Sequence, residues 1–148
     1  MKYPLYLFVA FIGLSSCSKD LSPAEQFEQD TKLIEEYLQS NNKKAQKTPE
    51  GVYYIVEKEG SAEKPKLTST VTVGYKGYYL DGVSFDSNTK TSFPLYGVVA
   101  GWQIGIPKFG KGGKGILLIP SAYGYGPKGN QSIGPNTVLI FDIEVFDF

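Results

Sequence analysis

The chain has no histidine and one cysteine among 148 residues, and all 15 of its basic residues are lysines. The missing histidine removes the usual general base and the commonest metal ligand. A lone cysteine forms no intrachain disulfide and no cysteine-rich metal site. Together these absences exclude Ser-His-Asp and Cys-His nucleophilic schemes. Without arginine there is no planar fork for bidentate binding of phosphate or carboxylate. The 15 lysines are balanced by 15 acidic residues, so no basic surplus argues for nucleic acid. Chemistry has to come from carboxylates, lysines, tyrosines, backbone groups or the shape of a cavity. No metal or cofactor is expected.

What is present is a composition 41% hydrophobic and 20% charged, enough for one globular domain with its own core. The start is different. Lys2 precedes an apolar run from Leu5 to Leu14, then small residues and Cys17. That run is too short to span a bilayer and has a signal-peptide layout. Leu14-Ser15-Ser16-Cys17 resembles a bacterial lipobox, which implies cleavage before Cys17 and acylation of that residue. Two or more acyl chains make a stable anchor. Ser18 stands where an aspartate would signal inner-membrane retention, so the expected location is the bacterial envelope, at the outer membrane. Residues 1–16 are read as signal peptide and 17–49 as a lipidated lead; the domain occupies 50–148.

Within the lead, Ser22-Pro23-Ala24-Glu25 carries three agreeing helix-start signals. Ser22 suits the N-cap, Pro23 the first helical position, and Glu25 completes a capping box. A helix over about 23–40 is predicted, with Phe27, Leu33, Ile34, Tyr37 and Leu38 forming an apolar face. It could pack on the domain, hold it off the membrane, or pair with a second copy. Residues 43–49 read as a polar linker.

From Gly51 the pattern turns to strands. Residues 52–57, 70–80, 83–85, 114–119 and 137–145 are rich in β-branched and aromatic side chains. Asp81-Gly82 marks a tight hairpin. Only residues 98–106 suit a second, short helix. The fold class is therefore α+β, an antiparallel sheet with one short helix to bury against it and a capped helix before it. Residues 105–111 imitate a P-loop, but Gly112 replaces the required serine or threonine and a strand follows where a helix is needed.

Four stretches, VGYKGYYLDGVSFDSN, FPLYGVVAGWQIGI, LLIPSAYGYG and IGPNTVLIFDIEVF, occur in that order. Together they resemble the FKBP-type peptidyl-prolyl isomerases from about Gly51 to Phe148. The resemblance implies a strongly twisted antiparallel sheet wrapped around one short helix. It implies that Trp102 of the Gly-Trp pair begins that helix and floors a substrate cavity, its small neighbours leaving an open bowl. Tyr75, Phe85 and Phe141 match aromatic walls. Val98 and Val99 match the pair before the helix, with the Val99 N–H donating to a substrate carbonyl. Tyr125 matches a tyrosine whose hydroxyl reaches the substrate amide, and Ile133 an apolar residue overhanging the cavity. Asp86 matches a carboxylate beside the pocket, with the role of orienting Tyr125 and shaping the local field.

The activity so implied is cis-trans isomerisation of X–Pro bonds in unfolded or exported polypeptides, assisting envelope folding. No bond is made or broken, and no histidine, metal or nucleophile is needed. The rival readings are a non-catalytic chaperone or peptide-binding module on the same fold, and a structural envelope lipoprotein. One departure stands out. The segment SNTKTS between Asp86 and Phe93 is short for the family and offers Lys90 as its only basic residue. Phe93 matches the second aromatic of an F-x-F run, leaving Thr91 at the first. A pocket wall is expected to be missing there, which bears on macrolide inhibitor binding more than on isomerisation.

Overall fold

The computed structural model describes residues 21–148; the expected signal peptide and lipobox, with Cys17, lie outside them. The first element, α1, runs Pro23–Ser40. Ser22 caps it: its hydroxyl accepts from the Glu25 N–H and its own N–H donates to the Glu25 carboxylate, both halves of the capping box. It ends where Asn42 takes a left-handed conformation (φ 51°), which asparagine tolerates. In proteins most helical stability comes from packing of an apolar face rather than from propensity. What holds α1 is burial of Ile34 and Leu38 against the sheet, each contributing about 1.5–3 kcal/mol.

The sheet has six strands: β1 (Gln46–Lys47), β2 (Tyr53–Lys58), β3 (Thr70–Tyr78), β4 (Ser84–Pro94), β5 (Lys114–Ile119) and β6 (Leu139–Asp147). Their order is β1-β2-β5-β6-β3-β4, every neighbouring pair antiparallel. The β3–β4 hairpin closes as Asp81-Gly82 predicts: Gly82 has φ 84°, and the Asp81 carboxylate accepts from the Val83 N–H at 2.9 Å. Two segments differ from the sequence pattern. Residues 43–49, read as linker, contain β1, which pairs with β2 through Gln46 and Lys47. The return after the hairpin does not stop at Phe85. β4 continues through Ser87–Ser92 to Pro94, with an irregular register opposite Val73–Tyr75. It is an exposed edge strand, so its middle residues need no alternating apolar pattern and read as loop.

Alternation along the strands gives the sheet two working faces. On β5, Leu117 and Ile119 join one core cluster with Leu139, Phe141, Ile143, Val71 and Val73. Ile116 and Leu118 point the other way, to Ile140, Tyr53 and the α1 residues Ile34 and Leu38. The face opposite α1 carries the short helix α2 (Ala100–Gly105). A Cβ on Gly101 would collide with the Ile119 side chain, and one on Gly105 would lie 2.6 Å from Leu117 Cδ2. The glycines flanking Trp102 are therefore what let α2 lie directly on β5.

Candidate active site

Trp102 sits on the first turn of α2, held down by that close approach and only 4% exposed. Three rings stand nearly perpendicular to its indole: Tyr75 at 5.2 Å and 81°, Phe141 at 5.3 Å and 84°, and Phe93 at 6.0 Å and 81°. Edge-to-face contact suits aromatic quadrupoles, and walls set upright around a flat ring leave a hollow. Phe85 extends the wall, edge-on to Phe141 at 5.5 Å. Gly77 of β3 makes room for both rings, since a Cβ there would meet Phe85 Cε2 at 2.5 Å and Phe141 Cε1 at 2.8 Å.

The result is a cavity of about 370 Å³ lined by Tyr75, Phe85, Asp86, Phe93, Gly97, Val98, Val99, Trp102, Tyr125 and Phe141. Of the catalytic and substrate-binding positions named from sequence, Ile133 alone does not line it. That side chain is 4% exposed and packs in the core cluster that also holds Trp102 and Phe141. Thr91, opposite Val73, does not line it either, whereas Phe93 does. Extension of β4 through Pro94 carries Phe93, the second position of that run, to the indole, and Thr91 adds no wall at the first.

Val99 is the N-cap of α2, where N–H groups have no helical acceptor. Its carbonyl accepts from the Trp102 and Gln103 N–H groups at 2.9 and 3.3 Å. The Gln103 side chain, which the sequence did not single out, donates to the carbonyls of Val98 at 2.8 Å and Tyr96 at 3.3 Å. It straps the 96–98 segment to the helix; the only advance signal was an amide one position after the tryptophan.

Asp86 corrects a further expectation. Its partner is Tyr75, whose hydroxyl donates to the carboxylate at 2.6 Å, and not Tyr125. Burial is the main reason the Tyr75 phenol is pushed up to about 12; the hydrogen bond to Asp86 and that carboxylate's charge follow, and Tyr125 adds to them. Tyr75 is therefore a fixed donor and Asp86 an acceptor already engaged. Tyr125 stands at the rim, 39% exposed, between the 3-10 turns Ser121–Tyr123 and Gly126–Lys128. Among the described residues no group of three or more cysteine, aspartate or glutamate side chains could hold a metal ion. The arrangement offers an apolar box with polar groups only at its edges, suited to gripping a small apolar ring by shape.

A family model described as FKBP-type peptidyl-prolyl cis-trans isomerase matches residues 61–146. The chain is 41% identical over 123 residues to the Aeromonas hydrophila protein named FKBP-type peptidyl-prolyl cis-trans isomerase FkpA, covering 79% of this chain and 46% of that one. To the Escherichia coli protein of the same name it is 43% identical over 101 residues, 66% of this chain and 37% of the relative. It thus spans about half the length of these curated relatives or less. Two solved structures share the fold: FkpA from Escherichia coli (TM-score 0.72, 32% identity, 87% of this chain and 74% of that one) and a peptidyl-prolyl cis-trans isomerase from Pseudomonas syringae (TM-score 0.74, 26% identity, 87% and 97%).

Proposed function

The chain belongs to the FKBP-type peptidyl-prolyl cis-trans isomerase family, and we propose that it accelerates rotation about X–Pro bonds in exported polypeptides. The observation that carries this reading is the indole floor with three rings upright around it. X–Pro isomers interconvert unaided over roughly tens to hundreds of seconds. The barrier is loss of amide resonance, about 18–20 kcal/mol for a peptide bond. The planar amide is the more charge-separated form, so water favours it over the twisted transition state. An apolar box around the prolyl ring withdraws that preference.

In this reading the proline ring lies against Trp102, with Tyr75, Phe85, Phe93 and Phe141 as walls. The Val99 N–H and the Tyr125 hydroxyl hold the flanking carbonyls while the amide turns. Asp86 acts through Tyr75, fixing that ring upright against the indole. Each tenfold gain in rate requires lowering the barrier by ~1.4 kcal/mol. Macrolide inhibitors would enter the same box, with Phe93 as one wall and none contributed by Thr91.

We also place the protein at the bacterial envelope, anchored through Cys17. The first helical residue, Pro23, follows Cys17 closely in the chain. Fully extended, that stretch reaches about 20 Å, so an anchored domain works close to the bilayer, on clients as they emerge or insert.

The test is a protease-coupled proline-peptide assay on the domain, with the residue before proline varied. Trp102→Ala/Tyr125→Phe should lower kcat/KM by roughly 100-fold, about 2.7 kcal/mol of transition-state stabilisation. Equal activity in wild type and the double variant would dismiss catalysis. Suppression of aggregation surviving in that double variant would instead favour a non-catalytic chaperone.

A further inference from the structure

We propose that Asp30 of α1 is a positioning residue for Tyr125, an inference that rests on the isomerase reading above. Asp86 is occupied by Tyr75, which leaves open what fixes the rim tyrosine. Asp30 lies on α1, before the segment that the family model matches, and is completely buried. Its Oδ2 accepts from the Ser121 N–H at 2.7 Å and from the Ser121 hydroxyl at 2.6 Å; its Oδ1 accepts from Gln26 Nε2 at 2.8 Å. No lysine lies within ion-pair distance of it among the described residues. A buried carboxylate held by neutral donors alone is a poor way to gain stability, because an apolar side chain of similar size avoids the desolvation. What it supplies is direction.

The bond it makes is well placed to supply that. Ser121 opens the 3-10 turn Ser121–Tyr123, and the first N–H of such a turn has no acceptor inside it. Asp30 caps it from another element, 91 residues away in the chain. The turn is then closed by the Tyr123 N–H on Pro120 O and the Gly124 N–H on Ser121 O, both at 2.9 Å. Its far end is held by α1 as well: Phe27 stands edge-on to Tyr123 at 6.2 Å and 83°. Phe27 and Asp30 are one helical turn apart and share one face of α1. Tyr125 leaves this clamped turn after one further residue, Gly124, and is the cavity residue reached by it. The helix outside the matched domain thus sets the exit direction of a side chain inside the cavity.

A double-mutant cycle in the full chain tests this, using Asp30→Asn, Tyr125→Phe and the pair, read as kcat/KM per folded molecule. The substituted amide would turn either its N–H groups or a neutral oxygen toward two donors, loosening the turn with little change in volume. Asp30→Asn should lower kcat/KM roughly tenfold in the wild-type background, and less than about twofold once Tyr125 is replaced by phenylalanine. Ser121→Ala, which keeps the backbone N–H, should give a smaller loss with the same dependence on Tyr125, and serves if Asp30→Asn folds poorly. Amide exchange gives a readout independent of catalysis. Tyr123 and Gly124 should lose protection in Asp30→Asn, while Leu117 and Phe141 keep theirs. Equal losses in the two backgrounds overturn the proposal. So does a lowered Tm with kcat/KM per folded molecule unchanged. If wild type itself is inactive, the exchange comparison still decides: unchanged protection at Tyr123 and Gly124 overturns the clamp, and selective loss supports it.

Discussion

The two faces of the sheet use the same strands to opposite ends. Where α1 lies, an 18-residue helix sets Ile34 and Leu38 against Tyr53, Ile116, Leu118, Val138 and Ile140. Where α2 lies, the helix has six residues, two of them glycines that touch β5 through backbone alone. Directly under α1 the first face is filled, and beyond the helix it opens into a polar groove of about 1120 Å³ bordered by Lys43, Tyr78, Ile116 and Asp142. The second brings its helix close but leaves the rings of Tyr75, Phe85, Phe93 and Phe141 with a gap of about 370 Å³ between them. Close packing is the default in protein interiors, so a gap bounded by rigid aromatic walls has to be maintained. It is maintained because the walls brace one another edge-on.

The sharpest way to break this comparison uses two adjacent residues on β5. Leu117 and Leu118 are the same side chain, both fully buried, and they point to opposite faces. Truncating either to alanine should cost about 2–5 kcal/mol, seen as a lower urea midpoint. Only Leu117→Ala should also change kcat/KM per folded molecule, because Leu117 lies under Gly105 of α2. Loss of activity in Leu118→Ala, with Tyr123 and Gly124 keeping their exchange protection, would mean that the faces are coupled by more than the Asp30 clamp.

A smaller effect is expected from adding one methyl group under the cavity floor. Gly101→Ala gains roughly 1 kcal/mol of helix preference. Against it stands a Cβ crowded by three atoms of Ile119, a fully buried residue with nowhere to retreat. Overpacking of this kind costs about 1–3 kcal/mol, so crowding wins and net stability falls. The helix should be lifted from β5 and Trp102 with it, lowering kcat/KM. A variant that is more stable than wild type and equally active would show that the close approach of α2 is incidental.

The separation of faces was partly legible in the chain. The capping box at Ser22–Glu25 and the Asp81-Gly82 turn are local chemistry, and local chemistry is readable without a fold. The glycines around Trp102 pointed to close approach, and the resemblance brought most of the cavity positions together. What could not be read depends on contacts between distant segments. The middle of β4 carries no alternating pattern because both of its faces are exposed over residues 86–90, so it did not read as strand. Asp86 has two tyrosines within reach by sequence pattern, and only register decides that Tyr75 takes it. Asp30 looked like one more charge on a polar helix. Its partner, Ser121, is remote in sequence, and the bond between them is buried.

The smallest effect expected concerns the alkaline limit, where both faces contribute with the same sign. Tyr75 faces the cavity and donates to Asp86; Tyr53 and Tyr78 contact the α1 side and donate to Glu35 and Asp142. All three phenols are raised above the ordinary tyrosine value of 10, first by burial and then by the hydrogen-bonded carboxylate. A folded state that holds a proton more tightly than the unfolded chain is favoured while that proton is bound. The contribution is fully present below about pH 10 and is lost as pH rises through the folded value, about 12 for Tyr75. Tyr75→Phe removes the cavity-side share only. At about pH 7 the variant should be less stable by about 1 kcal/mol, the worth of one hydrogen bond. Between about pH 10 and 12 wild type should lose stability faster, so the two urea midpoints converge, while the decline that Tyr53 and Tyr78 cause persists in both. Midpoints that stay parallel across that range would remove Tyr75 from the set of phenols that hold the fold together.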